Sequence, residues 1–92
     1  MEIQEILEQG NYHLIDVREP EELLTFGEIE GATNIPLGQI EDHEEEIRNL
    51  NGNIIFFCRS GGRSQKAVDF FTDKGLANIY NGGGYDDVAE LL

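Results

Sequence analysis

The stretch Ile54-Ile55-Phe56-Phe57-Cys58-Arg59-Ser60-Gly61-Gly62-Arg63 decides the fold. Its first four residues are apolar without alternation, so a strand built from them hides both of its faces. Such a strand belongs in the middle of a parallel sheet covered by helices on either side. Helical periodicity then runs from Arg63 to Lys74, with Ala67, Val68 and Phe71 inward, Phe70 near the margin and Gly75 suited to the cap. Cys58 therefore stands at the carboxyl end of a central strand and at the mouth of a helix, where open parallel sheets place their sites.

Working outward, the same alternation of strand and helix recurs. Ile3, Ile6 and Leu7 share one side of a helical wheel, and Gly10-Asn11 stops it. Tyr12 to Val17 reads as a strand. Glu19-Pro20-Glu21-Glu22 opens a helix carrying Leu23, Leu24 and Phe26, because proline suits a first turn and acids suit its positive end. Gly31 to Pro36 reads as a turn and a very short strand, and Gln39 to Leu50 as an amphipathic helix with Ile40, Ile47 and Leu50 inward. Asn78-Ile79-Tyr80 is a fourth short strand, Asn81 to Gly84 a glycine-rich turn, and Tyr85 to Leu92 a terminal helix. The expected architecture is a single domain over residues 1–92, of three-layer α/β/α class with a four-stranded parallel sheet, five strands being the alternative.

Composition narrows the functional classes. The hydrophobic fraction of 39%, with five Phe and three Tyr, suffices for one core. Six basic against 19 acidic residues leave a net charge of -13, whose field repels nucleic acid and anionic membranes. No apolar run reaches the ~20 residues of a membrane helix. The N-terminus lacks the basic and apolar regions of a signal peptide, and the single cysteine suits a reducing compartment, so a cytoplasmic location is the expectation. One cysteine and two distant histidines, His13 and His43, make a poor metal site, and no metal or organic cofactor is expected. The acidic run from Glu41 to Glu46 reads as a solvated helix face, and Gly82-Gly83-Gly84 is followed by no lysine-serine or lysine-threonine pair of a nucleotide loop.

The chemistry concentrates at Cys58. Helix-start N–H groups point back toward the strand end, and Gly61 and Gly62 let successive amides converge into an anion nest. A thiol held there ionises more readily than a free one, because the environment stabilises its thiolate. Arg59 and Arg63 place two of the chain's six basic residues in this loop, which points to an anionic substrate. The competing reading of Cys58 as a small buried hydrophobe does not account for the arginines or the glycines.

Cys58-Arg59-Ser60-Gly61-Gly62-Arg63-Ser64 resembles the active-site loop of the rhodanese family, the thiosulfate sulfurtransferases. Leu14-Ile15-Asp16-Val17-Arg18-Glu19 resembles that family's first characteristic segment, Gly31-Ala32-Thr33-Asn34-Ile35-Pro36 its second, and Gly82-Gly83-Gly84 its last, all in register. The resemblance implies that Cys58 takes sulfur from a small anionic donor such as thiosulfate, holds it as a persulfide and passes it to cyanide, a thiol or a protein thiol. It implies that the loop amides from Arg59 through Ser60, Gly61 and Gly62 to Ser64 bind the persulfide, and that Arg59 and Arg63 hold the donor's oxygens. Asp16 and Arg18 would support the loop by charge pairing and hydrogen bonding. The implied strand order is fourth, third, first, second. A non-catalytic carrier or docking module is the alternative function.

Two positions depart from the family pattern: Glu28 replaces a common histidine, and Tyr85 follows the terminal glycines in place of an aromatic that is often Trp. A cysteine-dependent phosphatase would need arginine six positions after the cysteine. That position is Ser64, and Arg63 comes one place early.

Overall fold

A computed structural model describes residues 2–92. Helix α1 (Ile3–Gln9) buries Ile6 and ends at Gly10, whose φ of 81° supplies the left-handed turn. Strand β1 (Tyr12–Asp16) follows, then α2 (Pro20–Phe26) and the two-residue strand β2 (Thr33–Asn34). Strand β3 (Asn53–Cys58) leads into α4 (Gly62–Asp73), and β4 (Ile79–Gly84) into α5 (Tyr85–Leu91). Between β2 and β3 lie a 3-10 helix (Leu37–His43) and the short α3 (Glu44–Arg48).

The four strands are parallel in the order β2-β1-β3-β4, as the resemblance implied. Residues 54–58 of β3 are all buried, and the strand separates two apolar layers. Ile54, Phe56 and Cys58 face the layer holding Ala67 and Phe71 of α4, where the Phe56 and Phe71 rings stack at 5.5 Å. Ile55 and Phe57 face the layer of Ile6 and Val88. A strand alternates its side chains between faces, so an unbroken apolar run serves two helical layers at once. Among the described residues no helix is long and apolar enough to cross a membrane.

Two expectations need correction. The helix expected over Gln39–Leu50 divides into the 3-10 turn and α3. Only Ile40 and Ile47 are buried along it, and like charges at Glu41/Glu45 and Asp42/Glu46 repel at helical spacing, so little holds one continuous helix. Residues 81–84, read as a turn, complete β4 instead. Phe56 pairs with Asn81 and Phe57 with Gly83, which makes Gly82 the extra residue of a β-bulge. A Cβ on Gly82 would come within 2.8 Å of Ile55 Cγ2 and 2.9 Å of Val88 Cγ2, so glycine is there for close approach. Helix α2 forms where expected and buries none of its residues: Leu24 is 90% exposed and Phe26 48%.

Candidate active site

Pairing of β1 with β3 and β3 with β4 brings the carboxyl ends of three strands together, and the loop Cys58–Arg63 sits on them. Gly61 has φ +99°, a left-handed conformation that glycine adopts freely. That turn aims the Gly61 N–H back at Cys58, donating to Sγ at 3.0 Å. Gly61 is also the N-cap of α4, and its carbonyl accepts the first helical N–H, from Gln65, at 3.1 Å. The sulfur therefore faces the positive end of a 12-residue helix.

Ser64 is fully buried, with its Oγ 3.4 Å from Sγ. This hydroxyl has one proton and three neighbouring acceptors: Asn81 Oδ1 at 2.7 Å, the Gly61 carbonyl at 3.1 Å and the sulfur. Asn81 Oδ1 also accepts the Gly83 N–H at 2.9 Å, while Asn81 Nδ2 donates to the Gly61 carbonyl and to Gln65 Oε1, each at 3.0 Å. One side chain of β4 thus pins the loop, the helix start and the glycine bulge together.

Burial pushes the Cys58 thiol up, since the residue is only 1% exposed. The Ser64 hydroxyl and the amides of Ser64, Ser60 and Gly61 outweigh that penalty and bring its pKa from 9.0 down to about 7. A large fraction of the sulfur is therefore anionic near neutrality. The small exposure means that a reactant must enter the loop mouth to meet it.

The arginines are engaged. Arg63 Nη1 donates to Glu22 Oε2 at 2.7 Å and Nη2 to Glu22 Oε1 at 2.8 Å, a two-pronged pair between α4 and α2. Its hydrogen bonds to Arg63 hold the Glu22 carboxyl at about 2, against an ordinary 4.5, despite partial burial. Arg59 is exposed, with its guanidinium carbon 4.1 Å above the centre of the Phe26 ring. Asp16 and Arg18 are buried against each other, with Arg18 Nη2 2.7 Å from Asp16 Oδ2. Arg18 also donates to the Gly27 carbonyl at 2.9 Å and lies 4.7 Å over the Tyr85 ring. Among the described residues neither side chain hydrogen-bonds to a residue of Cys58–Ser64; the pair fastens the ends of β1 and α2 beneath Tyr85.

The structure therefore gathers Cys58 and Arg59 to Ser64 at one point and sets Asp16 and Arg18 to one side. Sequence reasoning missed Glu22, Phe26 and Asn81 as parts of this site. Glu22 had one legible role, as the capping residue whose Oε2 accepts the Glu19 N–H at 2.8 Å. Its second partner lies 41 residues away and leaves no local trace. The histidines lie elsewhere: His13 Nε2 is 2.7 Å from the Asn51 carbonyl, and His43 Nδ1 is 3.2 Å from Glu46.

A sequence model of the Rhodanese-like domain matches residues 1–90. The chain belongs to the rhodanese family. It is 31% identical to the thiosulfate sulfurtransferase PspE of Escherichia coli, over 84% of this chain and 74% of that protein. A solved structure described as rhodanese with anions from E. coli superposes with a TM-score of 0.71 at 30% identity, covering 85% of this chain and 92% of that one. Two curated relatives, from Schizosaccharomyces pombe and Bacillus subtilis, reach 41% identity but are longer; the chain spans 56% and 52% of their lengths. The superposition on the E. coli structure shows a shared fold over most of both chains.

Proposed function

We propose that this rhodanese-family protein is a sulfurtransferase that moves sulfane sulfur from thiosulfate or a persulfide donor to a thiol or cyanide, through a persulfide on Cys58. The observation that carries this reading is the Cys58 sulfur receiving the Gly61 N–H at 3.0 Å in a loop that lowers its pKa to about 7.

In the first half-reaction the Cys58 thiolate attacks the outer sulfur of thiosulfate. A new S–S bond forms, the donor's S–S bond breaks, and sulfite departs with the electron pair. In the second, cyanide or a thiolate attacks the outer sulfur, the Cys58–sulfur bond breaks, and the thiolate returns while thiocyanate or an acceptor persulfide leaves. No net oxidant is needed. The S–S bond of ~2.05 Å carries the transferable sulfur beyond Sγ and toward the loop mouth. There the amides from Arg59 to Ser64 are the donors for its negative charge, and those of Ser60, Gly61 and Ser64 already favour the thiolate. Arg59, lacking an acidic partner among the described residues, is placed to meet the anionic end of a donor.

A phosphatase reading lacks its arginine. Ser64 holds the sixth position after Cys58, is fully buried and points its hydroxyl at Asn81. The test is the intact mass of the protein after incubation with thiosulfate. One added sulfur atom on Cys58, discharged repeatedly by cyanide as thiocyanate and abolished in Cys58→Ala, is expected. A single discharge without turnover would mark a carrier, and no sulfur uptake would overturn the proposal.

A further inference from the structure

One of the two arginines of the sulfur loop already holds a carboxylate. Arg63 lies in the first turn of α4, whose start faces the Cys58 sulfur, and both of its terminal nitrogens donate to Glu22 at 2.7 and 2.8 Å. A carboxylate and the oxygen end of thiosulfate suit the same fork of donors, so a donor meets Arg63 with its Nη1/Nη2 fork taken and its charge offset by Glu22. Glu22 is held from three sides. Arg63 takes both oxygens, the Glu19 N–H donates to Oε2 at 2.8 Å, and the charge of the buried Arg18 adds a smaller attraction. Its side chain is only 20% exposed, which limits screening by water.

Around the sulfur, then, Arg18 is cancelled by Asp16 and Arg63 by Glu22, and Arg59 alone faces solvent without an acidic partner among the described residues. Beyond that rim lies a chain of net charge -13. A donor with two negative charges meets one available guanidinium and a general repulsion. A donor with one charge or none loses little.

We infer that Glu22 is a specificity-determining residue of the sulfur site. By filling the Arg63 fork it selects against donors with a doubly charged oxyanion end and favours those of the hydropersulfide class. The inference rests on the sulfur-transfer reading and names its substrate class. With a hydropersulfide RSSH, the Cys58 thiolate attacks the outer sulfur, the donor's S–S bond breaks, and RS⁻ leaves with the electron pair. Cys58–SSH then releases its proton to solvent. Thiosulfate remains a donor, but one that must compete with Glu22 for Arg63.

Glu22→Gln tests this. Glutamine keeps the side chain's length and its cap on the Glu19 N–H, but it withdraws the charge and turns one prong of the fork into an N–H donor. Sulfur loading of Cys58 is measured by intact mass with thiosulfate and with the hydropersulfide of 2-mercaptoethanol. The KM for thiosulfate should fall about tenfold or more with kcat little changed, while kcat/KM for the hydropersulfide stays within about twofold. A merely structural role for Glu22 would move both donors together. Equal changes for the two donors, or a thiosulfate KM that holds or rises, would overturn the assignment while leaving sulfur transfer intact. Failure of the wild-type protein to load from either donor would remove the transfer reading and the inference with it. Should Glu22→Gln fold poorly, Glu22→Asp loosens the fork and keeps the charge; a thiosulfate-selective gain of about threefold is expected, and no gain refutes the idea.

Discussion

Removing the Ser64 hydroxyl should slow the reaction of Cys58 with alkylating agents at neutral pH by about fivefold. The pKa of Cys58 falls from 9.0 to about 7, a net preference for the thiolate on the order of 3 kcal/mol. One hydroxyl and the amides of Ser64, Ser60 and Gly61 produce that preference against burial. The hydroxyl's contribution is limited by its 3.4 Å distance and by Asn81 Oδ1, which competes for the same proton at 2.7 Å. Ser64→Ala should therefore give back about half of the preference and bring the thiol to roughly 8. At pH 7 the thiolate fraction then drops from about one half to about one tenth. Iodoacetamide alkylation between pH 5 and pH 10, followed by intact mass, reads this directly, and the 1% exposure of Cys58 slows both proteins alike. The variant leaves no orphaned acceptor, since Asn81 Oδ1 keeps the Gly83 N–H. A profile that does not move, or that moves to lower pH, would refute the reasoning.

The same group sets a pH dependence of stability. Its pKa is lower in the folded chain, so between about 7 and 9 the unfolded chain binds more protons and stability rises with pH. The contribution is complete above the unfolded value and lost as pH falls through about 7. In urea titrations, the wild-type protein should lose on the order of 2–3 kcal/mol relative to Cys58→Ala on going from pH 9.5 to pH 6. Parallel curves for the two would count against the shift. Gly82→Ala forces a methyl between Ile55 and Val88 and should cost ~1–3 kcal/mol. A Tm lower by roughly 5–15 °C with an unaltered alkylation profile is expected, and an unchanged Tm would mean the bulge has room to spare. Asp16→Asn leaves the buried Arg18 charge uncompensated and should destabilise by ~3 kcal/mol or more in urea. A loss below ~1 kcal/mol would show that Arg18 finds water or another partner.

Local order was legible because its causes are local. The four apolar residues before Cys58 have nowhere to go but the centre of a covered sheet, and the two glycines before a helical pattern imply converging amides. Where the expectations failed, packing intervened. Glycines at 82 to 84 carry the signature of a turn, yet a neighbouring strand and α5 press so closely on Gly82 that the same residues finish β4. Ile40 and Ile47 suggest one amphipathic helix, but two buried anchors among repelling acids hold only a 3-10 turn and a short α3.

By itself the sequence determined the covered central strand, the cysteine at its end and the amide nest before α4, since each follows from bonds and periodicity among adjacent residues. Only the tertiary structure decided which of 19 acidic residues would neutralise Arg63, that Arg59 would lie on Phe26, and that Asn81 would hold Ser64. Charges and amides carry no address along a chain; their partners are chosen by which strand ends the sheet brings together.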